Sequence, residues 1–368
     1  MTAAESASEA LAFEDLPGWA GDDHAAAYGA FLRSCRRIVD VARTRQAKRK
    51  PATADQKALE AICQQALAKP AKGAGQARAF FEENFTPRRV SAKASAGFLT
   101  GYFEPVLKGS RRRSSLFPVP VYAKPKDLVR LAPDEQRGTR NDQLTAMRRT
   151  NSGSVPYPTR EEIEKGALEG KNLELLYLAD PVDAYVMHVQ GSGQVQLDTG
   201  QRLRLGYAAK NGHPYSSIGK ELVRRGEISL DDMSLETLTG WLRANPDAAR
   251  ELMWKNRSYI FFQELEAKGA DEGPDGAQGV ALTAGRSLAV DPGHHQLGTP
   301  IWVEAPKLDA HGAQGFARLM VAQDVGSAIN GSERGDIYWG SGERAGRVAG
   351  LTRHKGSFIV LVPKSTSP

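Results

Sequence analysis

Residues 317–342 run ARLMVAQDVGSAINGSERGDIYWGSG. Two apolar stretches, LMVAQ and IYW, each abut an aspartate, Asp324 and Asp336. Between the acids lie small residues, with Gly331 and Gly335 at the later bends. The pattern predicts two strands joined by a tight excursion, since β-branched and aromatic residues favour strands and glycine permits sharp turns. Strand pairing would hold the two carboxyls near one another. A carboxyl beside a second carboxylate, or against Tyr338 and Trp339, has its pKa raised. A raised pKa suits a general acid at neutral pH. Two aspartates that merely accept backbone N–H bonds at a Gly-rich turn would show the same pattern, and the residues alone leave both readings open.

Outward from this stretch the chain stays strand-like. From Gly279 it offers GVALTAGRSLAV, TPIWVEA and, at the end, SFIVLVPK, separated by Gly-rich turns, which predicts a small β-barrel. Far upstream, GFLTGYFEPVLKG and PVPVYAKP are also extended, with Pro118, Pro120 and Pro125 keeping any strand short or at an edge. A polar region covers 127–153. Residues 183–207 alternate like strands, AYVMHVQ and then QVQLDTGQRLRLGY, with Asp198-Thr199-Gly200 as a hairpin turn.

Helices are expected at the N-terminus and in the middle. Tyr28, Phe31, Leu32, Cys35, Ile38 and Val39 recur at helical spacing. Thr53 and Gln56 make a capping box ahead of Leu59, Ile62, Cys63, Ala66 and Leu67. A third helix carries Phe80, Phe81 and Phe85. Thr159 and Glu162 cap a short one. Three more begin near Ser217, near Ser234 and at Asn245, where Pro246 takes the first helical position. Helices, strands, a mixed middle and strands again suggest a barrel assembled from sequence-distant pieces around an inserted domain, with a ligand groove between the two.

Composition narrows the function. The 368 residues carry a formal net charge of +6, which suits an anionic partner without naming it. No apolar run is long enough to span a bilayer. MTAAESASEALAFEDL has neither a basic n-region nor an apolar h-region, so a signal peptide is not expected there. The two cysteines, Cys35 and Cys63, sit on helical stripes, either as small buried hydrophobes or as one disulfide between packed helices. Neither has the setting of a catalytic thiol. Asp291 lies in an Asp-Pro-Gly turn, and His294 and His295 are adjacent, so no metal spacing appears and neither zinc nor another cofactor is expected. Gly191-Ser192-Gly193 lacks a nucleophile elbow, no phosphate-binding loop occurs, and the basic patch at 108–113 has no interleaved aromatics to suggest nucleic acid. Aromatics and amides beside Gly-rich turns (Tyr102, Phe103, Tyr207, Tyr215, Tyr338, Trp339, Gln190, Asn211, Gln323) fit a glycan better, unless they are core.

Taken together, these segments resemble the MltA family of lytic transglycosylases. The matching stretches, in order, are TGYFEP (100–105), YPTREEI (157–163), VQGSG (189–193), GYAAKNGHPYSSIGKEL (206–222), AGRSLAVDP (284–292), LGTPIWVE (297–304), AQDVGSAINGSERGDIYWGSG (322–342) and AGRVAG (345–350). The last section also resembles the 3D domain, named for three aspartates, here Asp291, Asp324 and Asp336. The resemblance implies a mainly β protein with N-terminal helices. It would have a double-psi β-barrel catalytic domain from 1–105 and 269–368, an inserted β-rich substrate-binding domain at 106–268, and a substrate groove between them. It implies cleavage of the β-1,4 bond between N-acetylmuramic acid and N-acetylglucosamine with formation of a 1,6-anhydro ring. Asp336 is the implied catalytic acid, with Asp324 and Asp291 in support. Thr100, Tyr102, Glu104, Gln190, Ser192, Gly193, Tyr207, Lys210, Asn211 and Tyr338 are expected to bind substrate. The expected partner is the peptidoglycan glycan strand, with cell-wall synthesis or outer-membrane proteins as further partners. The chain is expected to be a periplasmic monomer, associated with the outer membrane where a lipid anchor exists. The alternatives from the residues themselves are a hydrolase using Asp324 or Asp291 as base for water, and a non-catalytic peptidoglycan-binding module.

Overall fold

The computed structural model describes residues 9–90, 97–132, 144–266, 272–308 and 315–364. The first eight residues and part of the polar 127–153 region therefore lie outside the described residues. Helix α1 (His24–Ala47) starts where the Asp23 carboxylate accepts the Ala26 N–H. Helix α2 (Ala54–Ala68) starts at the Thr53/Gln56 capping box. Their apolar stripes meet, and Cys35 and Cys63 are joined as a disulfide with neither side chain exposed. Helix α3 (Gly73–Asn84) lays Phe80 and Phe81 on Tyr28 and Phe31, at ring-centroid distances of 5.1–6.0 Å. Phe85, expected in that helix, instead opens strand β1 (Phe85–Arg89). Pro87 cannot continue a helix, and Phe85 reaches the same core from the strand.

Strands β2 (Gly97–Glu104) and β3 (Val106–Ser110) are followed by β4 (Val119–Tyr122), β5 (Leu128–Arg130), β6 (Ala146–Thr150) and β7 (Gly153–Pro156). The Thr159/Glu162 capping box sets the helical turn α4 (Arg160–Glu162) ahead of β8 (Glu174–Leu178). The segment AYVMHVQ, expected as a strand, is helix α5 (Pro181–Gln190). Asp180 caps it by accepting the Val182 N–H, Pro181 occupies the first turn, and Gly191 closes it at φ 80. Burial of Val182 and of Ala184 through His188 leaves too few polar positions for a helical period to be visible. The hairpin is as expected: β9 (Gly193–Leu197) and β10 (Arg202–Lys210) pair antiparallel, with Gly200 at φ 87 in the turn. Helices α6 (Ile218–Arg225), α7 (Leu235–Ala244) and α8 (Pro246–Trp254) begin at Ser217, Ser234 and Asn245. After β11 (Ile260–Leu265) come β12 (Ser287–Ala289), β13 (Pro300–Ala305), β14 (Phe316–Asp324), β15 (Arg334–Ser341), helix α9 (Gly342–Leu351) and β16 (Arg353–Pro363).

The chain divides into two compact units. One comprises Met1–Tyr102, Asp271–Gly340 and Val348–Pro368, the other Phe103–Ala270 and Ser341–Arg347. In the first, seven strands follow the order β1-β16-β13-β14-β12-β15-β2, and β16 also pairs with β2. The order thus returns on itself from β2 to β16, with β1 outside the closed ring. Trp302, Leu319, Val321, Ile359 and Leu361 pack with α1, α2 and α3, while Met320 and Ala322, which alternate with Leu319 and Val321, are equally buried on the opposite face of β14. The second unit holds a six-stranded sheet, β11-β10-β9-β3-β8-β4, and a three-stranded one, β5-β6-β7. Its helices α5 to α8 share one apolar cluster around Val182, Tyr185, Leu222 and Leu252. Among the described residues no helix is long and apolar enough to cross a membrane.

Candidate active site

Strands β2 and β15 are neighbours in the first unit. Side chains two apart on a strand share a face, so β2 presents Thr100 with Tyr102, and β15 presents Arg334, Asp336 and Tyr338. On the other side of β15 lies β12, whose Ala289 pairs with Asp336 across one ladder and with Asp324 of β14 across the other. The two aspartates therefore sit two inter-strand spacings apart, about 10 Å between backbones. The β12–β14 register shifts at Leu288/Ala289, the kind of irregularity that re-aims side chains. Tyr102, Leu282, Ala289 and Tyr338 form an apolar floor, with the two tyrosine rings 5.3 Å apart. Gly335 permits the close packing just before Asp336, since a Cβ there would stand 2.6 Å from Phe358 Cζ.

The three aspartates differ in how their oxygens are occupied. Asp291 accepts from Gly293 N at Oδ1 (2.9 Å) and from Gly331 N at Oδ2 (2.7 Å). The Gly331 N–H chiefly holds its carboxyl below the usual range. Asp291 thereby ties its Asp-Pro-Gly turn to the excursion that precedes β15. Asp324 accepts from Ala277 N (2.8 Å) and Val325 N (2.9 Å) at Oδ1, and from the Tyr102 hydroxyl (2.8 Å) at Oδ2. Burial raises its pKa, and the three donors oppose the rise. Asp336 accepts one hydrogen bond, from Thr100 Oγ1 to Oδ1 at 2.6 Å, and among the described residues no donor reaches Oδ2. Some of its surface remains accessible, yet protein crowds the carboxyl closely. Burial pushes its pKa up to about 6; Thr100 and Arg334 oppose the rise, and Asp324 adds to it. Of the two causes expected for a raised pKa, a second carboxylate or packing against aromatic side chains, burial comes first and the second carboxylate adds to it.

The remaining expected residues fall into two groups. Thr100, Tyr102 and Tyr338 are at the aspartates. Tyr102 and Tyr338 are 9% and 1% exposed, so their rings wall the site and offer little free face for a sugar to stack on. Glu104, Gln190, Ser192, Gly193, Tyr207, Lys210 and Asn211 belong to the second unit. There Glu104 is fully buried, paired with Arg204 (2.9 Å) and accepting from Gln194 (2.7 Å) and Ser341 (2.6 Å). Asn211 donates to the carbonyls of Pro158 and Arg257 and accepts from Tyr259 N, which leaves it a backbone clasp. Gly193 is buried against Met187, and Ser192 is 7% exposed. Gln190 accepts from Phe103 N, Lys210 is half-buried with its pKa lowered by that burial, and Tyr207 keeps 52% of its surface open. Gln323 is wholly buried, donating to Ala30 and Ser34. A cavity of about 470 Å³ in the second unit, walled by Tyr122, Arg160, Tyr185, His188 and Tyr259, includes none of these residues. Among the described residues no group of three or more His, Cys, Asp or Glu side chains could hold a metal.

Arg334 joins the group at the aspartates, and its sequence position already carries the signal. It stands two residues before Asp336 on β15, hence on the same face, and its guanidinium donates to Thr100 Oγ1 at 2.8 Å.

Residues 98–263 match the family model described as the MltA specific insert domain, and residues 286–362 match the 3D domain. The chain is 36% identical over 262 residues to "Membrane-bound lytic murein transglycosylase A" of Vibrio cholerae serotype O1, an alignment covering 70% of this chain and 63% of that relative. It thus spans just under two thirds of that relative's length. Among solved structures, the membrane-bound lytic murein transglycosylase from Agrobacterium tumefaciens matches with a TM-score of 0.86 at 35% identity, covering 96% of this chain and 97% of that one. Escherichia coli MltA with bound chitohexaose matches at 0.65 and 29% identity, covering 93% and 90%.

Proposed function

The chain belongs to the MltA family of lytic murein transglycosylases, and on that premise we propose that it cleaves peptidoglycan strands without water, with Asp336 as acid and then base. One observation supports this reading most. Of the three aspartates, two have both oxygens held by fixed donors, and only Asp336 combines an uncommitted oxygen with a pKa near 6. A hydrolytic glycosidase needs a second carboxyl free to act as base or nucleophile. Asp324 and Asp291 are less suited to that task, because donors on both oxygens of each carboxylate lower its basicity and leave fewer lone pairs for a water.

A single carboxyl suffices if the nucleophile is already part of the substrate. Protonated Asp336 gives its proton to the oxygen linking C1 of N-acetylmuramic acid to N-acetylglucosamine, and the C1–O bond breaks. The resulting carboxylate takes the proton of the muramoyl C6 hydroxyl as that oxygen bonds to C1. One bond breaks, one forms, the 1,6-anhydro ring closes, and Asp336 is protonated again. Asp324, pinned in place, raises the pKa of Asp336 and fixes the Tyr102 wall beside it. The closed ring of strands fits a double-psi β-barrel built from 1–105 and 269–368, and the segment 106–268 serves as the inserted substrate-binding domain. Glycan binding by the Escherichia coli relative named with chitohexaose supports a saccharide substrate here. The membrane-bound relatives support a periplasmic location.

Mass spectrometry of products from purified sacculi tests the reading. Wild-type protein releases anhydro-ended muropeptides, which lack one water relative to hydrolytic ends. Asp336→Asn abolishes release, with a loss of about a thousandfold or more, while binding to sacculi persists. Asp324→Asn impairs the reaction less. Reducing-end products, or an active Asp336→Asn enzyme, overturn the proposal.

A further inference from the structure

The hydroxyl that meets Asp336 is itself fixed by a third residue. Arg334 Nη2 donates to Thr100 Oγ1 at 2.8 Å, and Thr100 Oγ1 lies 2.6 Å from Asp336 Oδ1. A threonine hydroxyl has one proton and two lone pairs. With a guanidinium donating into one lone pair, and arginine never able to accept, the Thr100 proton must turn toward Oδ1. The guanidinium is held in its turn: Nη1 donates to the carbonyls of Phe98 (3.2 Å) and Gly335, and its carbon sits 5.5 Å over the Phe98 ring. Arg334 therefore has one orientation, and through Thr100 it imposes one on the acid.

We infer that Arg334 is a positioning residue for the proposed reaction: by polarising Thr100 it makes Oδ1 the permanent acceptor and leaves Oδ2 to carry the proton that moves. The inference rests on the reading of Asp336 as acid and then base. That reaction uses one proton twice, first given and then retrieved. A carboxyl free to swap its oxygens would present the proton in the wrong direction part of the time. The relay removes that freedom in both protonation states, since Thr100 donates to Oδ1 whether or not Oδ2 is protonated.

The relay also sets where the acid titrates. The groups facing Asp336 are Arg334 and Tyr338 on β15, Thr100 and Tyr102 on β2, and Asp324 at the end of β14, while β12 contributes only Ala289. Burial and Asp324 favour the neutral acid; Thr100 and Arg334 favour the carboxylate. Arg334 is thus the cationic counterweight among these groups. Without it the carboxyl holds its proton to higher pH and returns it less readily.

Three variants test this: Arg334→Gln, Arg334→Lys and Thr100→Val, with the double variant Arg334→Gln/Thr100→Val. The readouts are the pH profile of kcat/KM for anhydro-product release and the carboxyl ¹³C titration of Asp336, assigned by its disappearance in Asp336→Asn. Arg334→Gln is expected to move the alkaline limb and the ¹³C titration upward by about one pH unit. It should lower kcat about tenfold with KM unchanged. Arg334→Lys keeps the charge and leaves both titrations near wild type, while kcat still falls because a single ammonium cannot hold the same geometry. The double variant is no worse than the poorer single, because both break one relay. An Arg334→Gln protein that is folded but titrates like wild type overturns the inference, as do single effects that multiply in the double. If Arg334→Gln does not fold, Arg334→Lys decides: an unchanged kcat overturns it. Failure of the underlying reading looks different. Wild type would yield no anhydro product, or Asp336→Asn would stay active, while the ¹³C titration would still report whether Arg334 sets the carboxyl.

Discussion

A folded-state pKa of about 6 for Asp336 stands above the value of about 3.9 for an unfolded aspartate. The folded protein therefore binds this proton more tightly than the unfolded chain does, and stability falls as pH rises across the interval between the two values. The favourable contribution is complete below about pH 3.9 and gone above about pH 6. At pH 8 the buried carboxylate costs about 1–2 kcal/mol, less than the full shift would give because part of the group stays accessible. Asparagine in its place has no charge to bury and can still accept from Thr100. Asp336→Asn is expected to be more stable than wild type at pH 8 by about that amount, and the gain should vanish near pH 4. Urea denaturation at the two pH values checks it; an equal effect at both would mean the carboxyl is not held out of water as the structure has it. The sequence revealed Asp336 only as one of two aspartates at a Gly-rich excursion. What separates them is the donor count on each carboxylate, and Asp324 is filled by Ala277 and Tyr102, which lie 47 and 222 positions away. No local pattern encodes such partners.

Elements were legible where their signals are local. The capping boxes at Thr53 and Thr159, Pro246 at a helix start and the turn at Gly200 all appear in the structure, because each depends on residues within one turn of the chain. Helix α5 was misread for the opposite reason: it is packed between α6 to α8, which cover Val182 and Tyr185, and the six-stranded sheet, which covers Ala184 and Met187, and burial on both sides erases its period. Asn211 shows the same distance between local pattern and partner. Its setting in a Gly-rich stretch suggests a ligand, while its amide is committed to backbone brought in from Pro158 and Arg257. A further tie between distant elements is Arg286, just ahead of β12, whose guanidinium makes a two-pronged pair with Asp22 (2.7 and 2.9 Å) and also donates to the Leu319 carbonyl. Asp22 in turn accepts from Leu319 N, so the pair pins the segment before α1 onto β14. The pair is almost sealed from solvent, at 6% and 4% side-chain exposure. Removing one partner strands the other charge in the interior. Asp22→Ala is expected to destabilise the protein by about 3–5 kcal/mol, measured by chemical denaturation. A loss below about 1 kcal/mol would mean that water reaches the guanidinium once Asp22 is gone.

At the scale of the whole molecule, the closed ring depends on β16 pairing with β13 and with β2, partners from opposite ends of the chain, while β1 joins β16 outside the ring. Hydrophobic pattern foretold strands at β2, β13 and β16, though not at β1, and could not say which would meet. The three N-terminal helices cover one side of that ring, and the covalent bond within this layer is Cys35–Cys63, closing a sequence separation of 28 residues. These are the chain's two cysteines. Such a loop closure is worth about 3 kcal/mol through the unfolded state, and a buried structural disulfide is characteristic of proteins that fold in an oxidising compartment. This agrees with the proposed periplasmic setting and makes the setting testable on the protein itself. Material taken from an oxidising compartment should show no titratable thiol even when denatured. Reductant should leave the folded protein untouched at first, since neither sulfur is exposed, and should lower its stability only as unfolding opens the bond. The Cys35→Ala/Cys63→Ala variant should be less stable by about 3 kcal/mol and indifferent to reductant. Two free thiols in protein of wild-type stability would remove both the staple and the argument for an oxidising compartment that rests on it.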